Sequence, residues 1–443
     1  MSLFSFQNIL ATALIASITV SSASLLTAQD QTVELRAPRI INANDAAKAG
    51  EGVTVAPSEL SEKTVTAEKV PVEPEPPAKE PLSEEEGVGS EPTVEPAVEE
   101  KEPEKIEHAD PLLNKVEQAI DLSRRRFLTA DLHTPWQIMH GILAFRDKYE
   151  LNQDQKSDAK INAIDFISNG PVFQGKHWFQ KSPHGGKAHP FTVPYAFEGH
   201  PNQFPAIMTM TDLPLDHKFK TGDGSITMED IVKNAQMEVN NHEGQTWTLW
   251  FLTHYLQSDT EWKNARGENW SIERLVQMQN QVVVERAACG GCHNLFALSL
   301  ARNNYLQEGG QLRGVWIEAN QKILRYTEIA RRTQNRDGSF SSDYFRSPQY
   351  SQEFKKRIAT SGHMLEFLMV ALPQSQINEP WVRKAVDNIS NDLIRFRNEP
   401  ADVGALYHAV DALVIYRERM LPREIATSSN SDITVTTGSQ EGE

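Results

Sequence analysis

Both cysteines of the 443-residue chain fall in one stretch, Cys289-Gly290-Gly291-Cys292-His293. Two thiols in a C-x-x-C-H spacing can do three kinds of chemistry. They can bond the two vinyl groups of a haem c whose iron takes the adjacent histidine as axial ligand. Cys289, Cys292 and His293 can instead supply three ligands to a tetrahedral zinc ion, with water in the fourth place. The third option is structural, a short disulfide or two buried thiols capping a helix. The spacing leaves haem, zinc and a structural pair open as occupants of this site.

His293 also belongs to a repeat. The pattern His, any, aliphatic, any, Ala or Phe, apolar occurs as HGILAF at His140, HNLFAL at His293, HMLEFL at His363 and HAVDAL at His408. The separations are 153, 70 and 45 residues, and the first is close to three steps of about 50, a period typical of helical arrays. Thr246–Leu256 supplies another strongly apolar segment inside that gap. Glycine stands near each histidine (Gly141, Gly291, Gly362 and, four before His408, Gly404), permitting a tight turn or close helix approach. Each histidine is therefore expected near the N-terminus of an inner helix, where free amides welcome an anion. His140, His293, His363 and His408 become the candidate ligand-binding residues of a shared cavity. For proton transfer, Glu243 beside His242, His363, and Asp411 on the face of His408 are the candidate catalytic residues. Glu366 shares the face of His363, where it could tune that histidine, orient a partner helix or pair with an arginine.

Helices must position these groups. Leu112–Phe127 and Trp136–Tyr149 read as amphipathic, and Asp165, Asp230 and Ser271 sit in helix-favouring segments. Amphipathic stretches at Met228–Val239, Ile272–Val284, Gly314–Arg331 and Pro380–Arg395 alternate with segments apolar all round. That alternation is what an inner and an outer ring of helices requires. No strand-type alternating run stands out. Gly170–Pro214 resists assignment, and its His177, His184, His189 and His200, with Trp178, Phe191, Tyr195 and Phe197, read as a lid over the ring mouth. Lys220–Asp230 reads as a turn into the next helix, because Phe219 in the first ligand place excludes a calcium loop. Nucleophile elbow, phosphate loop and HExxH are all missing.

Gln334–Phe340 (QNRDGSF) resembles the Gln-x-x-Asp-Gly-Ser-aromatic motif that joins helices in squalene and terpenoid cyclases. The ring of helix pairs resembles the α/α toroid shared by those cyclases and the protein prenyltransferases. The block from Glu198 (EGHPNQF) through CGGCHNLFALS to TSGHMLEFL is also similar to a group of uncharacterised exported bacterial proteins. The resemblance implies an all-α fold, an α/α toroid of about five to six helix pairs. It implies no activity, since the Asp-rich motifs of both cyclase classes and the Cys-Gly-Glu-Gln thioester motif are missing. Gly290 stands where the prenyltransferase zinc site has its Asp. The lanthionine cyclases, also toroids, hold zinc with two Cys and a His, which implies zinc for the CGGCH stretch.

Charge divides the chain. The formal net charge is −16, but residues 51–107 hold 17 Glu against 5 Lys, which leaves about −4 elsewhere. That balance excludes a nucleic-acid-gripping protein, and two cysteines exclude a disulfide-stapled scaffold. Residues 1–28 read as a signal peptide, with the apolar run Ile9–Val20 followed by small residues from Ser21, and the alternative is an uncleaved anchor. Residues 29–107, with nine prolines between Pro57 and Pro103, read as a disordered acidic linker. Residues 108–425 are the toroid domain and 426–443 a disordered tail. The expectation is an exported protein (periplasmic, envelope or secreted) without a further membrane span, binding or processing a small ligand in a His-lined cavity. The alternatives are a monohaem electron carrier and a non-catalytic envelope scaffold, the acidic linker then meeting an envelope partner.

Overall fold

Twelve α-helices, α1 to α12, carry the fold in a computed structural model that describes residues 93–94, 107–188 and 196–421. The expected signal peptide, the expected tail (residues 426–443), the last four residues of the expected domain and nearly all of the linker lie outside these residues. The helices are α1 (Pro111–Arg124), α2 (Pro135–Phe145), α3 (Ala163–Ser168), α4 (Gln203–Met208), α5 (Met228–Glu238) and α6 (Thr246–Tyr255). They continue as α7 (Ile272–Gln281), α8 (Cys292–Gln307), α9 (Val315–Thr333), α10 (Phe354–Ala371), α11 (Pro380–Arg395) and α12 (Val403–Met420). Among the described residues no helix is long and apolar enough to cross a membrane.

Burial sorts the helices into two sets. Every residue of α2 and α4 is buried, and α6, α8, α10 and α12 are buried on nearly all sides. By contrast, α7 buries only Ile272, Leu275, Val276 and Gln279, and α9 only Trp316, Ala319, Ile323, Tyr326 and Ala330. Such one-sided stripes at helical spacing are those of helices with a wet face. The even-numbered helices pack in sequence, α2 on α4, α4 on α6, then α8, α10 and α12, and α12 packs back on α2. The Trp136–Tyr149 segment is therefore not the amphipathic helix its pattern suggests. Its polar members Gln137 and His140 are buried and hydrogen-bonded, Gln137 in a capping box with Thr134. The helix stops at Phe145.

Short strands, which the pattern did not reveal, do structural work between the helices. Three antiparallel pairs, Glu150–Asn152 with Lys160–Asn162, Lys218–Thr221 with Gly224–Thr227, and Glu261–Lys263 with Asn269–Ser271, each follow an even-numbered helix. In each pair the last residue of the second strand is the N-cap of the next helix: Asn162 for α3, Thr227 for α5, Ser271 for α7. The capping side chains accept the first free amides of those helices, so the hairpin fixes where each begins. Strands of three or four residues are too short for alternation to register. Thr93–Val94, inside the stretch expected to be featureless, pairs antiparallel with Ala401–Asp402 and buries Val94. Gly170–Pro214 also holds more order than expected, including two hairpins and α4, the buried helix between α2 and α6.

The QNRDGSF stretch joins three helices. Gln334 Nε2 donates to Gly338 O and Trp381 O at 3.0 and 2.9 Å, and Asp337 accepts from Arg357 Nη1 at 2.8 Å. Arg357 on α10 in turn reaches Asp392 on α11 at 2.8 Å. Closer to the buried histidines, α10 and α12 touch at Gly362, where a Cβ would stand 2.8 Å from Ala409 Cα. Gly362→Ala is expected to destabilise the protein by about 1–3 kcal/mol through overpacking, despite alanine's better helix propensity. Equilibrium unfolding in denaturant checks this, and an unchanged midpoint would mean the helices separate freely there.

Candidate metal centre

The four repeated histidines meet. His408 on α12 has its ring centroid 4.1 Å from His363 on α10, 4.9 Å from His293 on α8 and 5.4 Å from His140 on α2. His293 and His363 are 5.1 Å apart. All four are buried. Only His293 stands at a helix start. His140, His363 and His408 lie well inside their helices, because α10 and α12 begin further upstream than the glycine positions implied. Trp136 packs on His140, and Trp247, itself stacked against His200, packs on His293.

Hydrogen bonds set the tautomers. His140 Nδ1 and His363 Nδ1 each lie 2.7 Å from the carbonyl oxygen four residues earlier, Trp136 O and Ala359 O. A carbonyl only accepts, so each Nδ1 carries the proton and each Nε2 keeps its lone pair. His408 Nδ1 lies 2.8 and 2.9 Å from the two oxygens of Glu366. His293 Nε2 is buried without a hydrogen-bond partner. Burial pushes all four imidazoles below their usual range, His408 to about 3, so they are neutral at pH 7. Neutral imidazoles whose second nitrogen is fixed by a carbonyl or carboxylate are the form that ligates metal.

Two groups of donor atoms lie within 4.8 Å of one another, Cys289–His293–His363 and His293–Glu366–His408. His293 is common to both. Cys289 reaches the cluster through a left-handed turn, with φ of 51° at Cys289, 61° at Gly290 and 78° at Gly291. The glycines are needed, since a Cβ at Gly290 would meet the Tyr344 ring at 2.2 Å. A non-glycine residue in this conformation is strained unless its surroundings hold it. Cys292 belongs to neither group. It is buried at the start of α8, where burial raises its thiol, and neither cysteine forms a disulfide. A porphyrin bonded to both sulfurs needs an open face beside His293. That ring has Trp247, His363 and His408 at 4.8, 5.1 and 4.9 Å, so these residues do not fit haem.

Beyond the histidines runs a buried polar chain. Glu366, bonded to His408, contacts Asp411, and Asp411 Oδ1 pairs with Arg146 Nη2 at 2.6 Å. Arg146 also donates to Leu143 O. Burial raises Glu366 to about 8 and Asp411 well above the usual carboxylate range, while Arg146 opposes both shifts. One proton shared between the two carboxyls leaves one negative charge opposite Arg146, so the chain is neutral as a whole. Of the sequence candidates, the structure thus joins His363 and Asp411 to the cluster, Asp411 through Glu366. Glu243 is placed elsewhere, exposed in the loop before α6, where it accepts from Asn240 Nδ2 at 2.9 Å. His189 lies outside the described residues. His177 bonds Gly170 O at 3.1 Å, and among the described residues His200 is the lid histidine that approaches the centre, through Trp247. Arg146 was not foreseen; its one signal was a lone cation directly after an apolar run. The chain matches no family model, no curated protein and no solved structure.

Two measurements probe this core. Arg146→Met strands a buried carboxylate and is expected to cost about 3–5 kcal/mol, most of it regained in Arg146→Met/Asp411→Asn; denaturant unfolding of both variants checks it. The pH dependence has two limbs. Unfolded histidine titrates near 6.5 while folded His408 titrates near 3, so the unfolded chain takes up protons below pH 6.5 and acid lowers stability. Glu366 acts oppositely: its stabilising proton is present below the unfolded value of 4.5 and is lost as pH rises through about 8. Calorimetry on metal-free protein should show a maximum between the limbs, and Glu366→Gln should flatten the alkaline one.

Proposed function

We propose that the chain is an exported α/α-toroid domain holding a zinc-class divalent ion at its histidine centre and processing a small ligand there. The closed succession of packed helices α2, α4, α6, α8, α10 and α12, with α1, α5, α7, α9 and α11 packed against members of it, supports the toroid reading. The apolar run Ile9–Val20 supports export. The observation that carries the metal reading is His293 Nε2, a buried nitrogen without a partner where the two donor groups overlap.

The geometry suits such an ion. Zinc–nitrogen bonds of about 2.0–2.1 Å place neighbouring imidazole centroids roughly 5 Å apart in a tetrahedral site. The separations among His293, His363 and His408 are 4.1 to 5.1 Å. Nitrogen donors with one thiolate favour zinc, cobalt or copper over magnesium or calcium. Cys289 joins His293 and His363 for one arrangement of the ion, and Glu366 joins His293 and His408 for the other, with water completing the tetrahedron. His408 is oriented by Glu366 when Cys289 ligates. A site with one exchangeable position polarises a bound water or carbonyl, the basis of hydrolytic chemistry.

Metal content and cobalt spectra test this on the full chain. One equivalent of zinc is expected, and cobalt substitution should give visible bands with a sulfur-to-metal band that Cys289→Ser removes and Cys292→Ser keeps. His293→Ala should weaken binding at least 100-fold while the fold, followed by circular dichroism, persists. A preparation that binds no ion, or a Soret band from covalent haem, overturns the reading.

A further inference from the structure

At the opposite ends of the same helices lies a cavity of about 380 Å³ that includes none of the four clustered histidines. This falls within the roughly 300–1,000 Å³ of small-molecule sites. Its apolar surface comes from Phe145, Trp250, Phe296 and Leu300. Two of its polar atoms are orphans. Thr253 Oγ1 and His254 Nε2, on the last turn of α6, are buried without hydrogen-bond partners. Thr253 is 1% exposed and the His254 side chain 8%. Orphaned buried polar groups carry a desolvation penalty of about 1–3 kcal/mol each unless a ligand or water meets them. Asp212, which also lines the cavity, has Oδ1 3.6 Å from His254 Nε2. Burial pushes His254 down to about 4, so it is a neutral imidazole beside a carboxylate.

The other side of the cavity is cationic. Arg146 and Arg417 are committed, to Asp411 at 2.6 Å and to Glu117 at 3.3 Å. Arg124 is not: among the described residues its guanidinium rests over the Phe145 ring at 4.9 Å and pairs with no carboxylate. The remaining acids, Asp147 and Glu418, are exposed on the rim, where water and salt screen them. An acceptor-rich end on α6 and an available guanidinium on α1 thus flank an aromatic floor.

We propose that this cavity is a second binding site, for a zwitterion with apolar side chains, of the class of a short apolar peptide. Its ammonium group meets Asp212, Thr253 and His254, with Trp250 offering a π face. Its carboxylate meets Arg124, and its side chains cover Phe145, Phe296 and Leu300. This site does not depend on the histidine centre holding metal. The test uses the full chain as purified, with leucyl-leucine as the probe, followed by calorimetry and by tryptophan fluorescence. Leucyl-leucine is expected to bind, and its C-terminal amide and its N-acetyl form should each bind at least tenfold more weakly. Arg124→Gln should abolish the preference for acid over amide, and Asp212→Asn the preference for amine over N-acetyl. Both variants keep the apolar floor, so residual binding of the blocked peptides shows that the cavity remains folded. The proposal is overturned if leucyl-leucine does not bind at 10 mM (on the order of the weakest useful affinity), if the blocked forms bind equally well, or if octanoate binds and the dipeptide does not.

Discussion

The ion pair between Arg146 and Asp411 is the constraint on which the interior depends. It stands at the C-terminal end of α2 and on the inward face of α12, with Glu366 of α10 completing it. A carboxylate with no exposed surface could not remain charged in that place without a cation. The pair therefore locks three helices in one register. It also holds Glu366 where its oxygens meet His408 Nδ1. The tautomer and direction of one histidine are thus set by an arginine on another helix, through two carboxyls.

Close packing does the rest. Gly362 lets α10 approach α12 until backbone meets backbone, which is why His363 and His408 have the shortest centroid separation of the cluster. A side chain there would move the rings apart. The glycines after Cys289 serve a different end, folding the chain back so that a thiol sits beside imidazoles from two helices. Local hydrogen bonds fix the rings of His140 and His363, since a histidine in mid-helix can give Nδ1–H to the carbonyl one turn earlier. Ligand-ready imidazoles follow from helix geometry and burial together, without a dedicated partner for each.

The same helices present different chemistry at their two ends. Toward one lie neutral nitrogens and a thiol, which suit a soft or borderline cation. Toward the other lie charges of both signs around aromatic rings. Arg146 belongs to both, lining the cavity with its guanidinium while its partner Asp411 leads to the histidines. Any group that drew Arg146 away would leave Asp411 and Glu366 without their counter-charge. The buried chain is thus a physical connection between the two ends.

The sequence by itself determined the helical class, the alternation of buried and half-wet helices, and the four histidines as one set. Periodicity and repetition are local properties, and Met228–Glu238, Ile272–Gln281 and Pro380–Arg395 lie where the pattern put them. Other features stayed hidden for physical reasons. Strands of three or four residues carry too little alternation, and α4 has only six residues, too few for a helical period to register. Tertiary structure alone decided that Cys289 and not Cys292 joins a donor group with the histidines, since a left-handed turn separates it from the start of α8, where Cys292 is buried. It also decided that Glu243 stays outside and Arg146 comes in. Charge pairing across helices depends on which ends meet, and no spacing along a single chain records that.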